Sequence, residues 1–191
     1  MADVIVIGGG PAGLSAALFL AKSGRKTVVI DTGRTLIKRA NLRNYLGFPG
    51  GLPGNELLAR GREQVTAFGG EILDAKEFEV EKTERGFLVK LPDREIAARA
   101  MILATAYGVD IAEKLGATLG RGVQAQAIRM VEVDREGRTS VEGLWAAGVV
   151  AGTPVQTIVA AGDGGRVAVN LLSRLRGSPY VDHDVLESVK R

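Results

Sequence analysis

Cysteine is absent from the 191 residues, and histidine occurs once, as His183 near the C-terminus. The first absence excludes disulfides, thiolate metal sites, a cysteine nucleophile and a dithiol relay. The second excludes a multi-histidine metal site. Charge of one sign is also missing. The 25 basic and 22 acidic residues leave a net charge of +3, interspersed without a long basic block, so nothing points to nucleic acid. No basic leader or cleavage site precedes Asp3 and the short apolar run after it, so the chain is expected to be cytoplasmic. The stretch "GLWAAGVVAGTPVQTIVAAG", residues 143–162, is uncharged and long enough for a membrane span. Its glycines, Pro154 and Gln156 read instead as a buried strand, a turn and a helix, with no membrane partner. Hydrophobic residues at 46% and charged ones at 25% describe an ordinary globular protein of one domain.

What is present begins with "VIVIGGGPAGLSAALFLAKSGRKTVVID", residues 4–31. Val4, Val6 and Ile7 form a continuous apolar run, suited to a parallel strand over about 3–7 that is covered on both faces. Leu14, Ala17, Leu18 and Ala21 give a helix over 11–23 its inward stripe, Gly24 ends it, and a second strand fills 27–31. The pattern G-x-G-x-x-G falls on Gly8, Gly10 and Gly13. The first glycine permits the tight turn, the second lets backbone approach a pyrophosphate, and the third lets helix pack close to strand. First-turn amides and the helix dipole would then meet the phosphates. Asp31, at the tip of the second strand, is placed to accept a ribose hydroxyl and would repel a 2′-phosphate. Arg34 either contacts adenine or pyrophosphate or is solvated.

Residues 32–53 read as a loop, and "GNELLARGREQVTAFGG" as a helix closed by Gly69 and Gly70. A short strand at 71–73 precedes "FEVEKT", "GFLVKL" and "EIAAR", an antiparallel meander inserted at about 76–98. "AMILAT", residues 100–105, and "GLWAAG" read as buried strands, and a helix runs from about 154 to 176. Thr153 is expected as its N-cap and Pro154 as its first residue, leaving the amides of Val155, Gln156 and Thr157 free. The expected architecture is one three-layer α/β domain over 1–176 with a central parallel sheet, and a loosely held tail over 177–191.

"GGGPAG" followed by an acid resembles the FAD-binding half of the pyridine-nucleotide disulfide oxidoreductases, and thioredoxin reductases in particular. Later stretches resemble that family in order: "NYLGFPGGLPGNELL", "MILATA", "EGRTSVEGLWAAGVV" and "VQTIVAAGDGGRVA". The resemblance covers nearly the whole chain and implies an FAD/NAD(P)-binding Rossmann-like domain with FAD as cofactor. The binding positions it implies are Gly8, Gly10, Pro11, Ala12 and Gly13, then Asp31, Thr32, Gly33 and Arg34, with Asn44 beside the flavin. It adds Ala75, Ala104, Thr105, Gly148 and Val149, and Val155, Gln156 and Thr157, whose amides would meet the flavin pyrimidine edge and raise its potential. No catalytic or metal-binding side chain is implied.

Three departures accompany the resemblance. The family's nicotinamide domain and CxxC pair have no counterpart, since only residues 107–128 lie between the matching segments. Ala106, the last residue of "MILATA", stands where the family's I-x-A-T-G strand carries glycine. Val149 stands where the family carries an aspartate for a ribityl hydroxyl; the lost bond is worth on the order of 1 kcal/mol and would weaken FAD loading without abolishing it. Asp163 is read as a helix-surface or capping charge. Tyr45 and Phe48 are read as wedges beside the flavin, Tyr107 as covering the flavin or capping the sheet, and Trp145 as packing. His183 is expected to be exposed, and Arg121, Arg129 and Arg138 solvated.

The leading functional expectation is an FAD-dependent oxidoreductase resembling a thioredoxin reductase stripped of its nicotinamide domain. Diffusible NADH or NADPH would be its reductant, and a redox protein or a second copy its partner. A non-catalytic flavin sensor or electron-carrier subunit is the alternative, and a plain NAD-binding domain the third. Thioredoxin reduction by the chain itself is disfavoured, because no cysteine pair exists to pass electrons on.

Overall fold

The computed structural model describes residues 1–122 and 128–185. Residues 123–127, inside the segment 107–128, and residues 186–191 of the tail lie outside the described residues.

The chain opens with β1 (Ala2–Ile7), α1 (Pro11–Lys22) and β2 (Thr27–Asp31). After a single 3-10 turn (Leu36–Arg39) come the two-residue strands β3 (Asn41–Leu42) and β4 (Leu52–Pro53), which pair with each other. Then follow α2 (Gly54–Ala67), β5 (Glu71–Asp74), β6 (Glu79–Thr83), β7 (Gly86–Lys90) and β8 (Glu95–Leu103). The last third contains α3 (Asp110–Lys114), the antiparallel pair β9 (Leu119–Arg121) and β10 (Arg129–Val131), β11 (Leu144–Ala146) and α4 (Thr157–Arg176).

The main sheet runs β5-β2-β1-β8-β7-β6, with β11 also paired to β8. Alternation in β1 decides the layering, because successive side chains point to opposite faces. Val4 and Val6 enter a core with α1, α2 and α4, while Ile5 and Ile7 enter one formed with the meander, α3 and β10. Both faces are thus covered, which is why β1 reads as unbroken apolar sequence. Val80, Phe87 and Val89 are the meander's contribution to the second core.

Two sequence expectations change here. "EIAAR" and "AMIL" are one strand, β8, rather than a meander strand and a separate core strand. Its first half pairs antiparallel with β7, its second half pairs parallel with β11, and β1 runs along its other side. The meander is therefore continuous with the main sheet. The second change is at α4, which begins at Thr157 with Gln156 as N-cap, not at Pro154 with Thr153. The Gln156 amide donates to the Pro154 carbonyl at 2.8 Å. The Thr153 hydroxyl donates instead to the Asp163 carboxylate at 2.9 Å, and a charged acceptor makes the stronger bond.

The described part of the tail touches the body at Tyr180, Asp182 and Asp184, while Val181, His183 and Val185 are exposed. Tyr180 packs against the helix-side core, its amide donates to Ser173 Oγ, and Lys22 pairs with Asp182 and Asp184. Among the described residues no helix is long and apolar enough to cross a membrane, and no group of side chains would hold a metal ion.

Candidate functional site

The site grows from the junction of β1 and α1. Gly8 takes a left-handed φ of +111°, and a Cβ on it would lie 2.3 Å from the Ala104 carbonyl oxygen. A Cβ on Gly13 would lie 1.8 Å from the Gly8 carbonyl oxygen, so the first turn of α1 rests directly on the loop. Gly10 differs. Its φ of −81° suits any residue, and an added Cβ would meet only Thr35 Oγ1, at 3.6 Å. The protein's own packing does not require Gly10 to be small, and the space beside it stays open. Pro11 opens α1, where no amide is needed, and the first turn carries no acid and no side-chain cap. The amides of Ala12 and Gly13 therefore lack intrahelical partners, and the positive end of the helix dipole is uncompensated. Such a cradle fits a pyrophosphate.

Asp31 ends β2 and is 7% exposed. Its Oδ1 accepts from the amides of Gly9 at 3.2 Å and Gly33 at 2.9 Å. Its Oδ2 accepts from Arg62 Nη1 at 3.1 Å, and Arg62 Nη2 reaches both oxygens of Asp74, at 3.0 and 2.8 Å. A carboxylate has about four lone-pair sites, so roughly one remains for a ribose hydroxyl. Gly9, Arg62 and Asp74 escaped the sequence reading. The triple glycine hinted at the first. Arg62 and Asp74 become partners only because α2 packs beside the C-terminal ends of β2 and β5, which pair Asp31 with Asp74.

A cavity of about 340 Å³ opens over this junction. Of the residues expected from sequence, Gly8, Gly10, Pro11, Ala12, Asp31, Thr32, Arg34, Ala104, Thr105 and Val149 line it. Phe78, Ala106, Asp110, Ala147 and Ala160 complete much of the wall. A neighbouring cavity of about 620 Å³ shares Gly9, Asp31 and Thr32, and adds the expected Gly33 and Ala75 together with Lys38, Arg62, Asp74 and Lys76. Ala106 holds a left-handed φ of 54°, the only non-glycine residue with positive φ among those described.

Other expected residues stand apart. Gly13 packs on the turn, and Gly148 sits at φ +78° with its amide bound by Asp163, so neither lines a cavity. Asn44 Nδ2 donates to Gln156 Oε1 at 2.8 Å, joining two expected residues far apart in sequence. Neither of them, nor Val155 or Thr157, lines either cavity, and α4 reaches the wall with Ala160, a turn later. The late start of α4 also moves the amides without intrahelical partners from 155–157 to Thr157, Ile158 and Val159.

Asp163 lies inside α4 rather than at its cap, and its carboxylate is largely buried rather than on the helix surface. Its side chain is 11% exposed, and Oδ2 accepts from the Gly148 amide at 2.7 Å and from Thr153. Tyr45 and Phe48 meet edge to face at 6.0 Å, and Tyr45 borders a separate small gap with Leu14, Leu58 and Ala161. Trp145 is core packing and His183 is exposed. Arg129 and Arg138 are ion-paired, with Glu113 and Asp134.

The family model described as pyridine nucleotide-disulphide oxidoreductase matches residues 2–106. A thioredoxin reductase of Aquifex aeolicus is 35% identical over 128 residues, covering 63% of this chain and 39% of the relative. A bifunctional thioredoxin reductase/thioredoxin of Mycobacterium leprae is 37% identical over 134 residues, covering 65% and 29%. The chain thus spans two-fifths or less of these relatives. The solved structure of a thioredoxin reductase from Gloeobacter violaceus shares the fold, with a TM-score of 0.78 at 22% identity over 97% of this chain and 99% of that one. With the family model matching more than half of its length, the chain belongs to the pyridine nucleotide-disulphide oxidoreductases, a family of FAD-binding proteins.

Proposed function

We propose that the cavity over the β1–α1 junction is the FAD seat of this chain, and that the chain serves as the flavin module of an oxidoreductase. The observation that carries the reading is the convergence of the glycine turn, the uncapped start of α1 and Asp31 on one cavity. In this reading the amides of Ala12 and Gly13 hold the pyrophosphate, and the free acceptor site of Asp31 takes one adenosine-ribose hydroxyl. Thr32, Gly33, Arg34 and Ala75 border the adenosine end, and Ala104, Thr105 and Val149 form the opposite wall. The Asn44–Gln156 bond ties the 40–53 loop to the start of α4, which supports a role for Asn44, Val155, Gln156 and Thr157 in framing the flavin end. Bound flavin would supply two-electron transfer at N5.

Diffusible NADH or NADPH is the proposed reductant, a redox protein or a second copy of the chain the proposed partner, and the cytoplasm the proposed compartment. Similarity to thioredoxin reductases supports redox chemistry. With no cysteine in this chain, any disulfide substrate would receive its electrons from a partner.

A second reading, a non-catalytic flavin carrier, draws support from the cavity lining. Its ionisable groups are Asp31, Arg34 and Asp110, and Asp31 is already bonded to two amides and Arg62. The test is anaerobic titration of FAD-loaded protein with NADH and NADPH, followed at the flavin absorption band. Bleaching supports the oxidoreductase, and a yellow protein that neither nucleotide bleaches supports the carrier. A protein that takes up NAD but refuses FAD overturns both.

A further inference from the structure

We propose that Asp163 is a positioning residue of this cavity, holding the Gly148–Thr153 turn against the start of α1; the proposal rests on the reading of the cavity as the FAD seat. The Asp163 side chain is 11% exposed although the residue lies on a helix otherwise open to solvent on that side at Arg166. Both of its oxygens are occupied. Oδ2 accepts from the Gly148 amide at 2.7 Å and from Thr153 Oγ1 at 2.9 Å. Oδ1 accepts from Arg166 Nε at 3.0 Å and Nη2 at 2.8 Å, and Arg166 Nη1 continues to the Arg135 carbonyl. The carboxylate therefore joins α4 to the 3-10 turn Gly148–Ala151, and through Arg166 it is linked to the loop before β11.

The next residue supplies the other half of the arrangement. A Cβ on Gly164 would lie 2.0 Å from the Ala12 carbonyl oxygen, so α4 lies directly on the first turn of α1. Ala12 and Val149 both line the cavity, and Val149 follows Gly148 in the chain. The dipeptide Asp163–Gly164 thus fixes the spacing of two cavity walls, one by close contact and one by a charge-assisted hydrogen bond. Gly148 holds φ +78°, and Asp163 binds the amide of that turn. A charge serving only solubility would not be desolvated among three elements.

The test compares Asp163→Asn with Val65→Ala, a core change on α2 at a residue that is 0% exposed and lines neither cavity. FAD and ADP affinities are measured by calorimetry on apoprotein, alongside the thermal midpoint. In Asp163→Asn, FAD binding falls by roughly tenfold or more while ADP, which reaches only the α1 side, changes by less than about threefold. Val65→Ala lowers the midpoint but changes both affinities by less than about threefold. FAD binding unchanged in Asp163→Asn, or FAD and ADP weakened alike, overturns the proposal. Amide exchange of apoprotein reads the same contact without flavin: loss of protection confined to Gly148–Thr153 supports it, and unchanged protection there overturns it. If the wild type refuses FAD at saturation, the proposed function fails, and the exchange comparison alone decides whether Asp163 positions the turn.

Discussion

Gly10 and Gly13 belong to one motif, yet adding the same methyl group to each should have opposite consequences. At Gly13 the methyl would lie 1.8 Å from the Gly8 carbonyl oxygen and 3.3 Å from Ala104 Cβ, both already fixed. The helix start and the turn would have to part by about 1.5 Å, an overpacking that costs about 1–3 kcal/mol. For a chain of this length that lowers the thermal midpoint by about 2–12 °C. At Gly10 the nearest atom would be Thr35 Oγ1 at 3.6 Å, and the backbone needs no change. The apoprotein of Gly10→Ala should lose less than about 1 kcal/mol, the difference between glycine and alanine at an N-cap. FAD binding should nonetheless fall by about tenfold or more, because the methyl would fill the space proposed for the pyrophosphate. Thermal unfolding of both apoproteins and flavin fluorescence quenching on titration with FAD measure the two effects separately. A Gly13→Ala apoprotein as stable as the wild type, or a Gly10→Ala protein with wild-type FAD affinity, would refute the reasoning.

Ala106→Gly should raise stability by about 0.5 kcal/mol in urea unfolding, since left-handed strain of about 1–2 kcal/mol is relieved against an unfolded-state entropy term of about 0.4–1 kcal/mol. Ala59→Gly on the exposed middle of α2 should instead lose about 1 kcal/mol. Double-mutant cycles should separate the two bonds of Arg62. Coupling to Asp74, whose side chain is 71% exposed, should stay below about 1 kcal/mol, while coupling to Asp31, whose side chain is 9% exposed, should reach about 1.5–3 kcal/mol. Burial pushes the Asp134 carboxyl up, but the amides of Arg138 and Glu136 and the Arg138 guanidinium outweigh it and hold the group below the usual aspartate range. Its folded form therefore binds protons less readily than its unfolded form. The stability it contributes is present above an unfolded value of about 4 and lost as pH falls through the folded one. Urea midpoints measured from neutral pH down to about 3 should fall less steeply for Asp134→Asn than for the wild type; identical slopes would contradict this.

Much of the fold was legible because it is written in local patterns. The apolar run before Gly8, the stripe of α1 and the glycine spacing fix β1, α1 and β2 to within a residue or two. The same turn chemistry located Gly8, Gly10 and Asp31, three residues that do meet at one cavity. The breaks in this legibility have specific causes. "EIAAR" and "AMIL" looked like two strands because the first alternates and the second is wholly apolar. That change marks the point at which one strand, β8, leaves its antiparallel neighbour β7 for its parallel neighbour β11. At the start of α4 the local cap signal of Thr153–Pro154 was outcompeted by a carboxylate ten residues later.

Sequence alone determined the turn, the acid at the tip of β2 and the lack of any thiol among these residues, because backbone geometry and composition act over short distances. Only the tertiary structure decided that Arg62 and Asp74 surround that acid, that Asn44 meets Gln156, and that Asp163 turns inward to bind Gly148. Those pairings form when helices settle on a sheet, and no periodicity along the chain encodes which polar groups are then left facing one another.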